Sequence, residues 1–297
     1  MEITIEIGDE DIQKQIKEEL DYLLIIAEAM KPPLNISQVL VPEDFQAKIR
    51  ELTGEDDYKF QRGVDNAKVT VAAKIIEGKD GTIIVVSPWL YLPVFDTMIR
   101  CFILAHEFAH IMNKGRFPKI PKDSFTSENY LGNLYILFDE YTADRLSFLI
   151  TERLFTSPTE AWEQYTNNWV IEYLNPSSHP TYYEQIKTEI ENFREHGNVD
   201  LYWKSIFETM HVVSVSIVHG FASYHQHNDK YVSLKIPNTE FINEKTLVLM
   251  DYLKEKYENK ETDLHDGIGL MSNYLTNFGV KFEDRPGNMG YIYVLDI

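Results

Sequence analysis

Residues 98–110 read MIRCFILAHEFAH, an apolar run that ends in the motif H-E-x-x-H. The spacing predicts a helix, and histidines four residues apart on a helix project from one face. His106 and His110 can therefore direct ring nitrogens at one ion, at the roughly 2.0–2.1 Å typical of zinc–histidine bonds. An ionisable pair in so apolar a run would be costly to bury without partners. The run predicts a metal site on a helix.

Glu107 lies between the two histidines and has no ligand role in this motif. A carboxylate beside the metal can take a proton from bound water and pass it to a leaving amine. We therefore predict Glu107 as the general base and one catalytic zinc ion as the cofactor. No other cofactor-binding motif is identified.

A catalytic zinc site needs a third protein ligand and an open fourth position. Glu140 is the candidate, because Asp144 follows it at i+4 and shares its face of a second predicted helix. Glu140 would bind the metal, and Asp144 would accept the free N–H of a ligand imidazole. Asp139 is the alternative ligand, although it projects about 100° from Glu140. The other interpretation is a solvated acidic patch that pairs with Arg145 or with lysines.

Charge and cysteine content limit the partners and the compartment. A formal net charge of −19 argues against binding nucleic acid and against docking on an anionic membrane. A single cysteine, Cys101, excludes an internal disulfide, favours a reducing compartment and is expected in the core. The acidic start is unlike a secretory signal, and no stretch approaches the 18 or more apolar residues of a membrane span. We expect a soluble cytoplasmic protein without membrane insertion, and a protein or peptide as its partner.

The periodicities predict an α+β protein that is mostly helical. The first half begins with a short strand and a helix over 11–30, and the β-rich runs 69–76 and 82–87 form a hairpin around 77–81. Pro93 is assigned to the first turn of the motif helix and Gly115 to its C-terminal cap. The cap of the second helix, which runs to about 155, is assigned to one of three residues: Ser124, Thr126 or Ser127.

The remaining sequence is predicted to be mostly helical, over about 158–174, 180–196, 200–225 and 240–258, with a final strand near 290–295. No repeat or low-complexity linker marks a domain boundary. We therefore predict a single catalytic unit over residues 1–297. Its parts are an α/β N-terminal part with the hairpin (1–92), a core with the metal ligands (93–190) and a helical C-terminal part (191–297).

Three stretches together resemble known zinc peptidases. The motif run, after a strand ending at Val86-Ser87-Pro88, resembles the hairpin-then-helix arrangement of ImmA/IrrE-type peptidases. EYTAD at 140–144 and SHPTYYEQI at 178–186 resemble the E-x-x-A-D and S-H-P-x-x-x-E-R-[IL] signatures of the HtpX and CAAX-prenyl endopeptidase group. The Lit phage-exclusion peptidases are similar in outline. The resemblance covers about residues 82 to 190.

The resemblance implies a gluzincin, a zinc peptidase with a zincin-like core whose third ligand is a glutamate on a following helix. It further implies a regulatory or phage-exclusion protease with a narrow protein target. His179 would donate a hydrogen bond to the oxyanion, a contact worth about 3–4 kcal/mol in barrier. The alternative for His179 is a turn residue before Pro180. Gln185 stands where the signature has arginine, and the transmembrane segments of the membrane families are absent.

Several interpretations stay open. The strand over 82–87 is expected to form a cleft wall and to pair with an extended substrate. Four histidines either line the cleft, hold another metal or are polar side chains of a helical core: His211, His219, His225 and His227. The competing function is a zinc-fold regulatory or toxin-like binding protein that acts by protein–protein contact. Retention of Glu107 favours catalysis over such a role.

Overall fold

The computed structural model describes residues 2–30, 34–54, 61–62, 69–93, 95–114, 116–117, 127–154, 167–170, 172–175, 179–231, 235–285 and 289–297. The fold is α+β and mostly helical, as predicted. The chain divides into two compact units. The first comprises Met1–Arg62, Val69–Lys114 and Ala143–Thr159, and the second comprises Gly63–Lys68, Gly115–Thr142 and Glu160–Ile297.

The first unit is built on a mixed sheet. The first six strands of the chain are β1 (Glu2–Ile5), β2 (Ile36–Val41), β3 (Gln61–Arg62), β4 (Val69–Thr70), β5 (Ala73–Gly78) and β6 (Gly81–Val86). Four of them form a sheet in the order β1-β2-β6-β5, in which β1, β2 and β6 are parallel and β5 is antiparallel to β6. The predicted hairpin is confirmed, but its first strand begins at Ala73, because β3 and β4 form a separate pair.

The position of β6 overturns one expectation about substrate binding. β6 lies between β2 and β5, so both of its backbone edges already form ladders. A substrate strand cannot pair with residues 82–87, and the prediction that it would do so is wrong. The antiparallel strand β5 is at the end of this sheet instead.

Helices pack on both faces of this sheet. Val39 and Ile84 pack on one face with α1 (Glu10–Met30) and α3 (Thr97–Asn113). The intervening residues Leu40 and Val85 pack on the other face with α2 (Phe45–Thr53). Because successive side chains of a strand point to opposite faces, β2 and β6 are buried on both sides, which explains their runs of β-branched residues.

The helix that carries the motif begins later than predicted. Asp96 is its N-cap, with a carboxylate that accepts a hydrogen bond from the Ile99 N–H at 2.9 Å. Pro93 lies before the helix, so its assignment to the first turn is wrong; a short 3₁₀ turn, Pro88–Tyr91, comes earlier. An aspartate N-cap accepts a hydrogen bond from an N–H that has no partner within the helix. A proline at the first helical position has no N–H, so it makes no such bond. Gly115 lies outside the described residues.

The helix α4 (Ser127–Leu154) supplies residues to both units. Of its three predicted caps, Ser124 and Thr126 lie outside the described residues, and the helix begins at Ser127. Its hydroxyl residues bond back to carbonyl oxygens one turn earlier, as Thr142 does to Phe138 at 2.8 Å. The buried hydroxyls of Thr142, Ser147 and Thr151 each find an acceptor within α4 in this way.

The second unit is a helical bundle closed by a hairpin. Its further elements are α5 (His179–His196), α6 (Val199–Tyr231), α7 (Glu244–Glu258), α8 (Ile268–Leu275), β7 (Val280–Arg285) and β8 (Met289–Val294). The Tyr130 hydroxyl donates to the Phe282 carbonyl at 3.0 Å and fixes the hairpin to α4. The predicted helix over 158–174 is described only in part, and 167–170 and 172–174 are helical. The sequence patterns do not predict α8 or β7.

Among the described residues, α6 is the one helix long and apolar enough to cross a membrane, over Val199–His227. Just over half of its most apolar window, 56%, is buried inside the structure. The core helix of a soluble protein has the same length and composition, so this finding is weak support for a membrane span. The sequence pattern predicts no such stretch.

Candidate metal centre

The motif residues occupy one face of α3. The opposite face, which includes Leu104, Phe108 and Met112, is buried against the sheet and α1. His106 and His110 are only partly buried. The core of the first unit thus holds the helix by its apolar face and leaves both imidazoles on the accessible side.

The two imidazoles converge on one point. Their Nε2 atoms lie 2.9 Å apart, and the ring planes are inclined at 88°. Two nitrogens bound to one tetrahedral zinc ion would be about 3.3 Å apart, given bonds of about 2.05 Å. A small opening of the pair would admit a divalent ion, and imidazole nitrogens suit zinc, copper, iron and nickel alike.

Asp144 contacts the far side of the first imidazole. Its Oδ1 lies 2.7 Å from Nδ1 of His106, and the residue is 1% exposed. An ionised carboxylate can only accept, so Nδ1 of His106 carries the proton and Nε2 keeps its lone pair. This is the tautomer that binds a metal through Nε2. Because Asp144 is buried, a solvated acidic patch does not describe it.

Glu140 lies one helical turn before Asp144 on α4. Residues four apart are separated by about 40° around the axis, so the two carboxylates share a face. Asp139, the alternative ligand, lies about 100° from Glu140. The assignment of Glu140 as the third ligand stays a prediction that the helix geometry supports.

His179 is the first residue of α5 and lies in the core of the second unit. It is 3% exposed, its ring contacts Phe241 edge to face at 5.5 Å, and neither ring nitrogen has a hydrogen-bond partner among the residues that the structure describes. Burial lowers the pKa of His179 to about 4, against a weaker raising effect of Glu240. The ring is therefore neutral with one unsatisfied N–H, but it presents that N–H to no solvent. Its role as an oxyanion donor stays a prediction.

Gln185, which replaces the arginine of the signature, lies on α5 one and a half turns after His179. Its side-chain oxygen accepts a hydrogen bond from the Thr209 hydroxyl of α6 at 3.2 Å. The neutral amide thus joins two helices of the second unit. A charged contact is not made by this residue.

The four histidines of α6 make contacts inside the second unit. His227 is fully buried, and its Nδ1 lies 2.9 Å from the Ser223 carbonyl. The others contact aromatic residues: His211 stacks on Phe207, His219 packs on Tyr173, and His225 packs on Tyr141. For His225 and His227 these contacts agree with the interpretation of polar side chains in a helical core, and the interpretation of His219 stays open.

A buried ion pair fixes the motif helix α3 to α1. The sequence patterns do not predict this pair. Arg100 donates to both carboxylate oxygens of Glu19 on α1, at 3.1 and 2.6 Å. It also donates to the Phe95 carbonyl at 2.6 Å and to the Thr97 hydroxyl at 2.8 Å. The available signal was Arg100 itself, because a lone charge in an apolar run requires a buried partner. This clamp fixes α3 to α1 just before the motif.

The chain matches no protein-family model, no curated protein and no solved structure. Its function is therefore argued from the chemistry and geometry of its own residues.

Proposed function

We propose that this protein is a zinc-dependent endopeptidase of the gluzincin type with a zincin-like core. One observation carries the proposal: the Nε2 atoms of His106 and His110 meet at 2.9 Å while Asp144 holds the outer nitrogen of His106. A carboxylate–histidine pair with a second histidine at i+4 is the usual arrangement of metal-ligating imidazoles. Glu140 is proposed as the third ligand, which leaves one position for water or substrate.

The proposed mechanism assigns proton transfer to Glu107. Zinc, when bound, polarises a carbonyl oxygen and lowers the pKa of a water ligand to about 7. Glu107 lies between the two histidines in the sequence of α3 and is partly buried, so its carboxylate could act on water held by a metal at these histidines. It accepts a proton from the attacking water and transfers it to the leaving amine. His179 is proposed as the donor to the oxyanion, which requires its ring to be uncovered.

The proposed substrate is a peptide that pairs with the edge of β5. Among the strands that the structure describes, only β6 pairs with β5, and β5 contacts α3. An extended peptide can add to such an edge through main-chain hydrogen bonds, with side-chain pockets supplying specificity. The proposal takes the protein as soluble and cytoplasmic, with a narrow protein target.

The decisive experiment compares the parent with Glu107→Gln. Each zinc-loaded protein is incubated with cytosolic extract, and new peptide termini are identified by mass spectrometry. Glu184→Gln, which removes an exposed carboxylate on α5, is the matched control. We expect new termini with the parent and the control and none with Glu107→Gln. Equal cleavage by Glu107→Gln would show that the assigned base is wrong. A biological effect that survives in this variant would favour action by contact.

A further inference from the structure

A buried tyrosine follows Glu140 directly on α4. Tyr141 is 0% exposed, so its hydroxyl needs a partner within the protein. That hydroxyl lies 2.8 Å from Nδ1 of His225 on α6. Tyr141 and His225 both lie in the second unit, and in the sequence they are distant from the two histidines of α3. The proposed mechanism gives them no role.

His225 is a nearly buried imidazole that packs among aromatic rings. Its side chain is 5% exposed, and its Nε2 lies 3.8 Å from the exposed carboxylate of Asp251 on α7. The rings of Phe221 and Tyr224 flank the imidazole, each with a centroid distance of 5.7 Å. In the tautomer with the proton on Nε2, Nδ1 accepts the hydrogen bond of the Tyr141 hydroxyl.

We infer that Tyr141 and His225 are positioning residues, which set the rotation of α4 and thereby the direction of the Glu140 carboxylate. This inference rests on the proposed function. Adjacent residues of a helix are about 100° apart, so fixing Tyr141 fixes the direction of Glu140. A rotation of α4 by about 15° would displace a side-chain end by about 1.5 Å. Metal and catalytic sites require placement within about 0.5 Å.

The alternative is an ordinary packing contact that contributes to stability alone. A positioning role predicts a loss of zinc affinity beyond any loss of stability, because an imperfectly directed ligand binds the metal less well. Groups that orient metal ligands typically change affinity by about 10–100-fold when they are removed. Tyr274 provides the comparison, because it is 0% exposed and its hydroxyl donates to Ser214 at 2.9 Å, on α8 and α6 rather than on α4.

The test measures the zinc dissociation constant and the free energy of unfolding of the metal-free protein. Tyr141→Phe and His225→Leu are expected to weaken zinc binding about tenfold, and the double variant no further. His225→Asn, whose side-chain oxygen replaces Nδ1 as acceptor, is expected to bind zinc nearly as the parent does. Tyr274→Phe is expected to lose similar stability without losing zinc affinity.

Two results would overturn the inference. Tyr141→Phe removes one oxygen atom and is the variant most certain to fold; parent-like zinc affinity in this variant contradicts a positioning role. An equal loss of affinity in Tyr274→Phe would assign the effect to general stability. A parent protein that binds no zinc is a different outcome, because the proposed function itself then fails.

Discussion

Nδ1 of His106 and Oδ1 of Asp144 are 2.7 Å apart, and this contact joins the motif helix α3 to the later half of α4. The carboxylate is almost completely buried, so the hydrogen bond is shielded from solvent and from salt. It fixes both the tautomer and the ring orientation of His106. Nε2 of His106 then has the lone pair that a metal would need, and in the metal-free protein it accepts a hydrogen bond from the Nε2–H of His110.

We predict that Asp144→Asn weakens zinc binding about tenfold, because a neutral amide holds the imidazole less firmly and makes it less basic. The measurement is a competition titration against a chelator of known affinity. Asp139→Asn, on the same helix but on a different face, is the control and should bind zinc as the parent does. Loss of zinc in Asp139→Asn with normal binding in Asp144→Asn would instead support Asp139 as the ligand.

The Glu19–Arg100 pair leads to a prediction about stability. Arg100→Met leaves the carboxylate of Glu19 without its cationic partner and with the Gln15 amide as its remaining donor, and the expected loss is about 3–5 kcal/mol in the free energy of unfolding. The double variant Glu19→Met with Arg100→Met removes both charges and should recover most of that loss. Urea denaturation measures both. A double variant as unstable as the single one would mean that packing, and not an unpaired charge, causes the loss.

Gly220 on α6 leads to a prediction about helix packing. A Cβ atom there would lie 2.4 Å from Cδ2 and 2.6 Å from Cγ of Leu174. Gly220→Ala should therefore destabilise the protein by about 1–3 kcal/mol through overpacking. Gly269→Ala on α8 is the control, because outside its own helix backbone its Cβ would meet no atom of the described residues within 4 Å. Alanine should stabilise that helix by about 0.5–1 kcal/mol, and a stable Gly220→Ala variant would contradict the close packing.

Burial of His179 predicts a dependence of stability on pH. Its pKa is about 4 in the folded protein and about 6.5 in an unfolded chain. Between these values the unfolded chain binds more protons, so stability is complete above about pH 6.5 and falls as the pH falls towards 4. We expect the parent to lose about 2 kcal/mol more than His179→Phe between pH 7 and pH 4.5.

The control for this pH dependence is His196→Gln, which changes an exposed histidine on the same helix. It should lose stability with falling pH as the parent does. Identical pH profiles for the parent and His179→Phe would mean that His179 is accessible to protons in the folded protein.

Local sequence patterns predicted most of the helices and strands. The features that these patterns did not predict depend on contacts between residues far apart in the chain. The spacing of apolar residues predicted the bounds of α1 to within one residue, because a helix that buries one face repeats its apolar residues every three or four positions. The strand β2 was missed because its apolar residues lie in a mixed, acidic region. The central place of β6 depends on pairing with β2, which no local pattern of β6 encodes.

The same distinction applies to the candidate site. The spacing of His106 and His110 on one helix predicted their convergence, because four residues make one turn. Asp144 was chosen by its register with Glu140, again a local relationship. Glu19 lies in a distant helix, so its pairing with Arg100 required the packing of α1 on α3. The burial of His179 against Phe241 likewise arises from tertiary contacts.

The most direct test of the central claim is the zinc content of the purified protein after exhaustive dialysis, measured by plasma mass spectrometry. We predict one zinc ion per chain in the parent and in Glu107→Gln, and strongly reduced zinc in His106→Ala, His110→Ala and Glu140→Ala. A parent without bound zinc, or full zinc retention in all three ligand variants, would contradict a metal centre at the H-E-x-x-H motif.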